Sequence, residues 1–201
     1  MKIGILAFGS LIEFPGKEIE DIEIGRIECV TPFNVEFARI SSTRGYAPTL
    51  IPIFDNSKGL QVNAKIIIID SEVSIEKAKS ILWRRECHII EKSENYREPK
   101  NPTSKNVMIG ELDNFCNVEK VIFTYFIIQE DYKDLNPLNL ADYAIKSAQS
   151  QAGKEAKDGI SYLMSTKKYG IITELGEDYE KEILNKTNTT SLENALKKLI
   201  K

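Results

Sequence analysis

Two places in this chain hold residues whose types and spacing could do chemistry. The first is Glu86, inside the run ILWRRECHI at 81–89. On a helix, where each residue advances about 100°, Glu86 shares a narrow stripe with Ile75 and Leu82, and Ile89 lies close to it. A carboxylate on an apolar face must be paired, hydrogen-bonded or protonated. Partly desolvated, it is suited to taking a proton and giving it back. The position equally suits an ion pair with Arg85, Arg39 or Arg44. The second place is Gly9-Ser10, directly after an apolar run at 3–8. Glycine lets backbone approach a ligand closely, and a turn there can aim successive N–H groups at a carboxylate or a developing oxyanion. The same pair also makes a plain turn after a strand.

Several other chemistries lack their residues. His88 is the only histidine, so every Ser-His-Asp or Cys-His arrangement would have to use it. On a helix its neighbour Cys87 points about 100° away from it. One histidine and three scattered cysteines, Cys29, Cys87 and Cys116, give no zinc-type ligand set, and no metal is expected. Neither GxxxxGK[ST] nor GxGxxG after a strand occurs, and no cofactor is expected. The cysteines are odd in number, with no CxxC, and read as free thiols of a reducing cytoplasm. A net charge of −3 predicts no general attraction to nucleic acid or to an anionic membrane. The apolar stretch at the N-terminus is too short for a signal peptide, and no run approaches the roughly 20 apolar residues of a membrane span. The six arginines, at 26, 39, 44, 84, 85 and 97, all lie in the first half of a lysine-rich chain. Some of them fit a geometric role such as a bidentate carboxylate contact, and others ordinary surface pairing.

The elements that must position these residues follow from periodicity. Residues 2–8 read as a central strand, aliphatic on both faces. Residues 19–30 read as one strand or two short ones, 33–40 as a cleaner strand, and 48–54 as a strand near an edge because of Pro48 and Pro52. Asp55 to Gly59 form a turn ahead of a strong strand within 60–69. Ser74 can cap a helix over 74–88, with Glu76 in its first turn. Residues 91–105 form a long polar loop, and 118–129 the last strong strand. Helical patterns follow at 140–151, 154–167, 177–185 and 191–200. Strands first and helices late predict an α+β chain: a small mixed, mainly antiparallel β-barrel or curved sheet with flanking and C-terminal helices. The 201 residues fit one domain with a sizeable core, helical from about residue 139.

Phe8-Gly9-Ser10-Leu11 and Arg85-Glu86 together resemble motifs of the γ-glutamylcyclotransferase-like family. That family has a first strand ending in a Tyr-Gly-Ser/Thr-Asn/Leu-type motif and a glutamate near the end of a helix that follows the barrel strands. VEFARISSTRGYAPTLIPI, LQVNAKIIII and YGIITELGEDYEKEIL are similar to its middle strands and closing helix, so the resemblance spans 1 to about 184. It departs most clearly at Phe8, where tyrosine is usual. The resemblance implies cleavage of a γ-glutamyl amine or peptide without water. The substrate's α-amine attacks its own γ-carbonyl, releasing 5-oxoproline and a free amine. An intramolecular reaction mainly needs the substrate folded into attacking geometry and one group to move a proton. The resemblance assigns Glu86 to that proton transfer. It assigns substrate contacts to Phe8, Gly9, Ser10 and Leu11, with Arg39 as a further contact and Tyr125 as either a pocket hydroxyl or a core aromatic. The alternative is a non-catalytic small-molecule-binding or regulatory module on the same fold.

Overall fold

The computed structural model describes residues 1–54, 58–128 and 135–200. Its architecture is α+β, with a mixed, mostly antiparallel sheet and no closed barrel among the described residues. No described helix is long and apolar enough to cross a membrane. The chain gathers into two compact units, one of Met1–Thr31 with Asn63–Ile127, the other of Pro32–Val62 with Ile128–Lys201.

The first unit is built on a five-stranded sheet. Its strands are β1 (Ile3–Ala7), β2 (Glu23–Val30), β5 (Asn63–Ile69), β6 (Met108–Phe115) and β7 (Val118–Tyr125), in the order β2-β5-β1-β7-β6. β1 is buried along its whole length, as expected of a central strand. It runs antiparallel to β5, with Ile3 opposite Ile69, and parallel to β7, with Ile3 opposite Lys120. The four consecutive isoleucines of β5, Ile66 to Ile69, are all buried. Two single-turn helices, α1 (Ser10–Glu13) and α2 (Lys17–Glu20), follow β1. The strand expected over 19–30 therefore begins only at Glu23. Its first residues instead close a helical turn that buries Ile19.

Helix α3 (Ile75–Cys87) joins β5 to β6. The Ser74 hydroxyl caps it by accepting the Lys77 N–H at 3.2 Å. His88 ends it in the left-handed region at φ 55°. Arg84 and Arg85 occupy its last turn, where positive charge suits the helix dipole. β6 has no counterpart in the periodicity analysis. Its burial alternates weakly, and it pairs with β7 through a turn in which Asn114, Cys116 and Asn117 all take positive φ.

The second unit pairs β3 (Asn34–Ser41) with β4 (Ala47–Ile53) in a two-stranded antiparallel sheet, joined through a short 3-10 turn at Ser42–Arg44. β4 and β5 therefore belong to different sheets, although the sequence suggested only a turn between them. Residues 55–57 of that expected turn lie outside the described residues, and Leu60 makes a lone bridge to Val35. Among the described residues, five helices complete the unit: α4 (Pro137–Ala148), α5 (Gln151–Lys154), α6 (Gly159–Lys168), α7 (Gly176–Thr187) and α8 (Leu192–Leu199). The single helix expected over 154–167 is broken at Asp158. Its buried carboxylate caps α6 by accepting the Ile160 and Ser161 N–H groups at 2.8 and 3.0 Å. Phe37 lies edge-on to Tyr179 at 5.2 Å and to Tyr162 at 6.3 Å in the core.

Candidate functional site

The loop that follows β1 and the C-terminal turn of α3 are joined by two neighbouring arginines. Gly9 takes φ 60° and ψ −135°, a conformation that strongly favours glycine, and turns the chain sharply out of the strand into α1. Among the described residues, the N–H groups of Gly9, Ser10 and Leu11 meet no acceptor, as expected where a short helix opens. The Gly9 and Ser10 carbonyls turn the other way and accept the Ile12 and Phe14 N–H groups at 3.3 and 2.9 Å.

Arg85 reaches back to this loop. Its Nε and Nη2 donate to the Phe14 carbonyl at 3.2 and 2.6 Å, and Nη2 lies 3.4 Å from the Ser10 hydroxyl. Its Nη1 donates to Oε1 of Glu86. One guanidinium thus holds the Ser10 side chain, the end of α1 and the Glu86 carboxylate. The aliphatic part of Arg85 lies close against Gly16, where φ is +90° and a Cβ would come within 3.2 Å of Arg85 Cγ. Glu86 retains 19% of its side-chain exposure, so its side chain is mostly but not fully buried. Of the three arginines that the sequence offered as ion-pair partners for Glu86, Arg85 is the one that pairs with it.

The most deeply buried charge on α3 is Arg84, with only 5% of its side chain exposed. It grips Glu18 of α2 bidentately, at 3.0 Å from Nε and 2.7 Å from Nη2, and donates from Nη1 to the Glu94 carbonyl at 2.5 Å. The Arg84 guanidinium holds the Glu18 carboxyl below the usual carboxylate range. Together the two arginines fix α1, α2 and the loop after α3 around the helix end. The same loop is held a second time where the Tyr96 N–H donates to Ser80 Oγ at 3.2 Å. Periodicity does not reveal Arg84, because a buried arginine breaks the apolar pattern instead of extending it. The usable signal was the preference for arginine in a lysine-rich chain. Arg26 gives the same signal, with its fork on Glu23 at 2.6 and 2.9 Å and on the Ile12 carbonyl at 2.7 Å.

The first unit contains Phe8, Gly9, Ser10, Leu11, Glu86 and Tyr125. Phe8 is half-buried just past the end of β1, and Leu11 is buried. Tyr125 is the last residue of β7, opposite Met108, with its ring 6.2 Å from Phe123. Near it stands Tyr96, an aromatic residue inside a polar loop that sequence reasoning passed over. Tyr96 lies 6.3 Å from Trp83, its hydroxyl accepts the Ile109 N–H at 3.3 Å, and burial pushes that hydroxyl above its ordinary value. Arg39 belongs to the second unit. It lies half-buried in β3 opposite Thr49, whose hydroxyl donates to the Arg39 carbonyl at 3.3 Å. No group of three potential metal ligands occurs among the described residues.

No family profile, no curated protein and no solved structure matches the chain.

Proposed function

We propose that this chain is a γ-glutamylcyclotransferase-like enzyme of the cytoplasm, on the small barrel-like fold of that family. It releases 5-oxoproline and a free amine from a γ-glutamyl amine or peptide. The observation that carries the reading is the Arg85 guanidinium. It joins the Gly9-Ser10 loop to Glu86, the two motifs that sequence alone could only set side by side. In this reading the unpaired N–H groups of Gly9, Ser10 and Leu11 receive the substrate, with Phe8 and Tyr125 as neighbours in the pocket. Arg85 keeps the Glu86 carboxylate oriented. The substrate's α-amine attacks the γ-carbonyl and closes a five-membered lactam. Glu86 takes the proton from that amine and returns it to the departing nitrogen as the amide bond breaks. The substrate supplies its own nucleophile, so the protein's share is orientation and one proton relay. The direct test is incubation of the purified protein with a panel of γ-glutamyl amines and dipeptides, with 5-oxoproline detected by chromatography. Stoichiometric 5-oxoproline and free amine from at least one compound is the expected result. A panel that yields only glutamate, or no product, removes the reading.

The same ion pair favours a second reading. A Glu86 held by Arg85 is also what a non-catalytic module would use to brace its ligand loop. Under that reading a γ-glutamyl compound binds and protects the fold against heat, yet is recovered unchanged.

A further inference from the structure

A cavity of about 380 Å³ opens in the second unit between α6, α7 and the connection that joins them. Its apolar surface comes from Phe37, Leu163, Ile171, Ile172 and Leu184. The α7 wall is one helical face. Glu177, Glu180, Lys181 and Leu184 recur on it at spacings of three and four, while Tyr179 and Ile183 turn into the core. Gly176 keeps the floor open, because a Cβ there would lie 3.0 Å from Thr173 Oγ1 and 3.6 Å from Phe37 Cε2. Ile172 is 59% exposed on the connecting segment, although Ile171 beside it is buried. A concave, mainly apolar space of this size with a few polar groups at its mouth has the form of a small-molecule site.

The charges around the mouth select the class of ligand. Lys167 of α6 pairs with Glu180 of α7, and Lys181 pairs with Asp178 at 2.9 Å. Both lysines of the wall are thus answered by a carboxylate. Glu177 is not: among the described residues its carboxylate has neither a hydrogen bond nor an ion pair, so the unmatched charge here is negative. A cation leaving bulk water for this mouth meets a waiting carboxylate, whereas an anion would have to displace one of the two existing pairs. We infer that the cavity is a binding site for an organic ammonium ion with a compact apolar body. The body packs on Phe37, Leu163 and Ile172, and the ammonium donates to the Glu177 carboxylate. None of these residues takes part in the proposed amide chemistry.

The test follows the backbone amide NMR signals of the full chain during titration with phenethylammonium chloride. Phenethyl alcohol and phenylacetate serve as probes of similar size without the positive charge. Saturable shifts are expected at residues 171–184 and at Leu163, with the ammonium bound most tightly and phenylacetate least. Glu177→Gln, a change at an exposed residue, should weaken the ammonium about fivefold, as expected for a partly solvated charge pair, and leave the alcohol unaffected. Ile172→Ser should weaken the ammonium and the alcohol alike. Phenylacetate binding more tightly than the ammonium, shifts that lie outside the cavity, an unchanged ammonium affinity in folded Glu177→Gln, or no saturable shift with any probe overturns the inference. The ligand-free spectra show whether each variant keeps the wild-type fold. Should one fail to, the ranking of the three probes and the location of their shifts on the wild type decide alone.

Discussion

Replacing Glu86 with glutamine separates the proposed proton transfer from the architecture around it. The amide is nearly isosteric, and its oxygen can still accept from Arg85. Arg85 keeps its two bonds to the Phe14 carbonyl and its contact with Ser10, so the loop stays attached to α3. The Glu86 side chain is 19% exposed, and the pair it loses is only partly shielded. The stability cost is therefore that of a partly exposed ion pair, about 0–1 kcal/mol. The chemical cost is larger, because an amide cannot carry the proton from the attacking amine to the leaving nitrogen. Loss of a general acid–base group lowers turnover by about 10²- to 10⁴-fold. At about 1.36 kcal/mol per tenfold, that is about 2.7–5.5 kcal/mol of barrier. The two effects differ enough to be read separately. A thermal melt should move little, while 5-oxoproline release from a substrate that the wild type turns over should fall at least a hundredfold. A folded Glu86→Gln protein working within about threefold of wild type refutes the assignment, since loss of a true proton relay is much more costly.

Three further outcomes follow from the same geometry. Glu18→Gln strands the buried Arg84 guanidinium and should cost about 3 kcal/mol in urea unfolding near pH 7. Because Arg84 lowers the folded-state pKa of Glu18, the stabilisation is present above the ordinary carboxylate value and disappears as pH falls through the lowered one. Wild type and variant should therefore converge in acid, and a constant gap rejects the pairing as its source. Glu36 has the opposite sign. Buried in β3, it accepts the Phe37 and Leu175 N–H groups at 2.8 and 3.1 Å, and burial raises its folded-state pKa. Its contribution is present below the unfolded carboxylate value and is lost as pH rises through the folded one. Stability should fall across that window in the wild type but not in Glu36→Gln, and parallel curves would exclude Glu36 as the cause. Phe8→Tyr introduces the phenol usual in the γ-glutamylcyclotransferase-like family. If Phe8 helps to choose the substrate, the ratio of kcat/KM for two γ-glutamyl amines will change, whereas an unchanged ratio in two folded, active proteins removes Phe8 from the site.

Burial periodicity accounts for the parts of the fold that the sequence alone determined. The aliphatic run at 3–8 had to be an interior strand because neither of its faces could meet water, and β1 is buried throughout. Ser74 announced the helix it caps, because its hydroxyl meets an N–H left unpaired at the helix start. The late helices were legible from their local helical patterning. Their breaks were not: Asp158 divides α5 from α6 because its carboxylate is buried, and burial is a tertiary fact. β6 escaped notice because only Met108 of its eight residues is buried and its turn is made by asparagines and a cysteine instead of Gly or Pro.

At the candidate site, the sequence could place a carboxylate on a helix and a glycine turn after a strand, since both depend on spacing within one element. Tertiary structure decided which charges meet. Arg84 and Arg85 are adjacent in sequence, so on the helix their side chains diverge by about 100°. One closes on Glu18 and the Glu94 carbonyl. The other closes on Ser10, the Phe14 carbonyl and Glu86. Which arginine took which partner depended on where α3 came to rest against the loop after β1. That was set by the packing of α3 against β6, β7 and α2, a long-range outcome that no local spacing encodes.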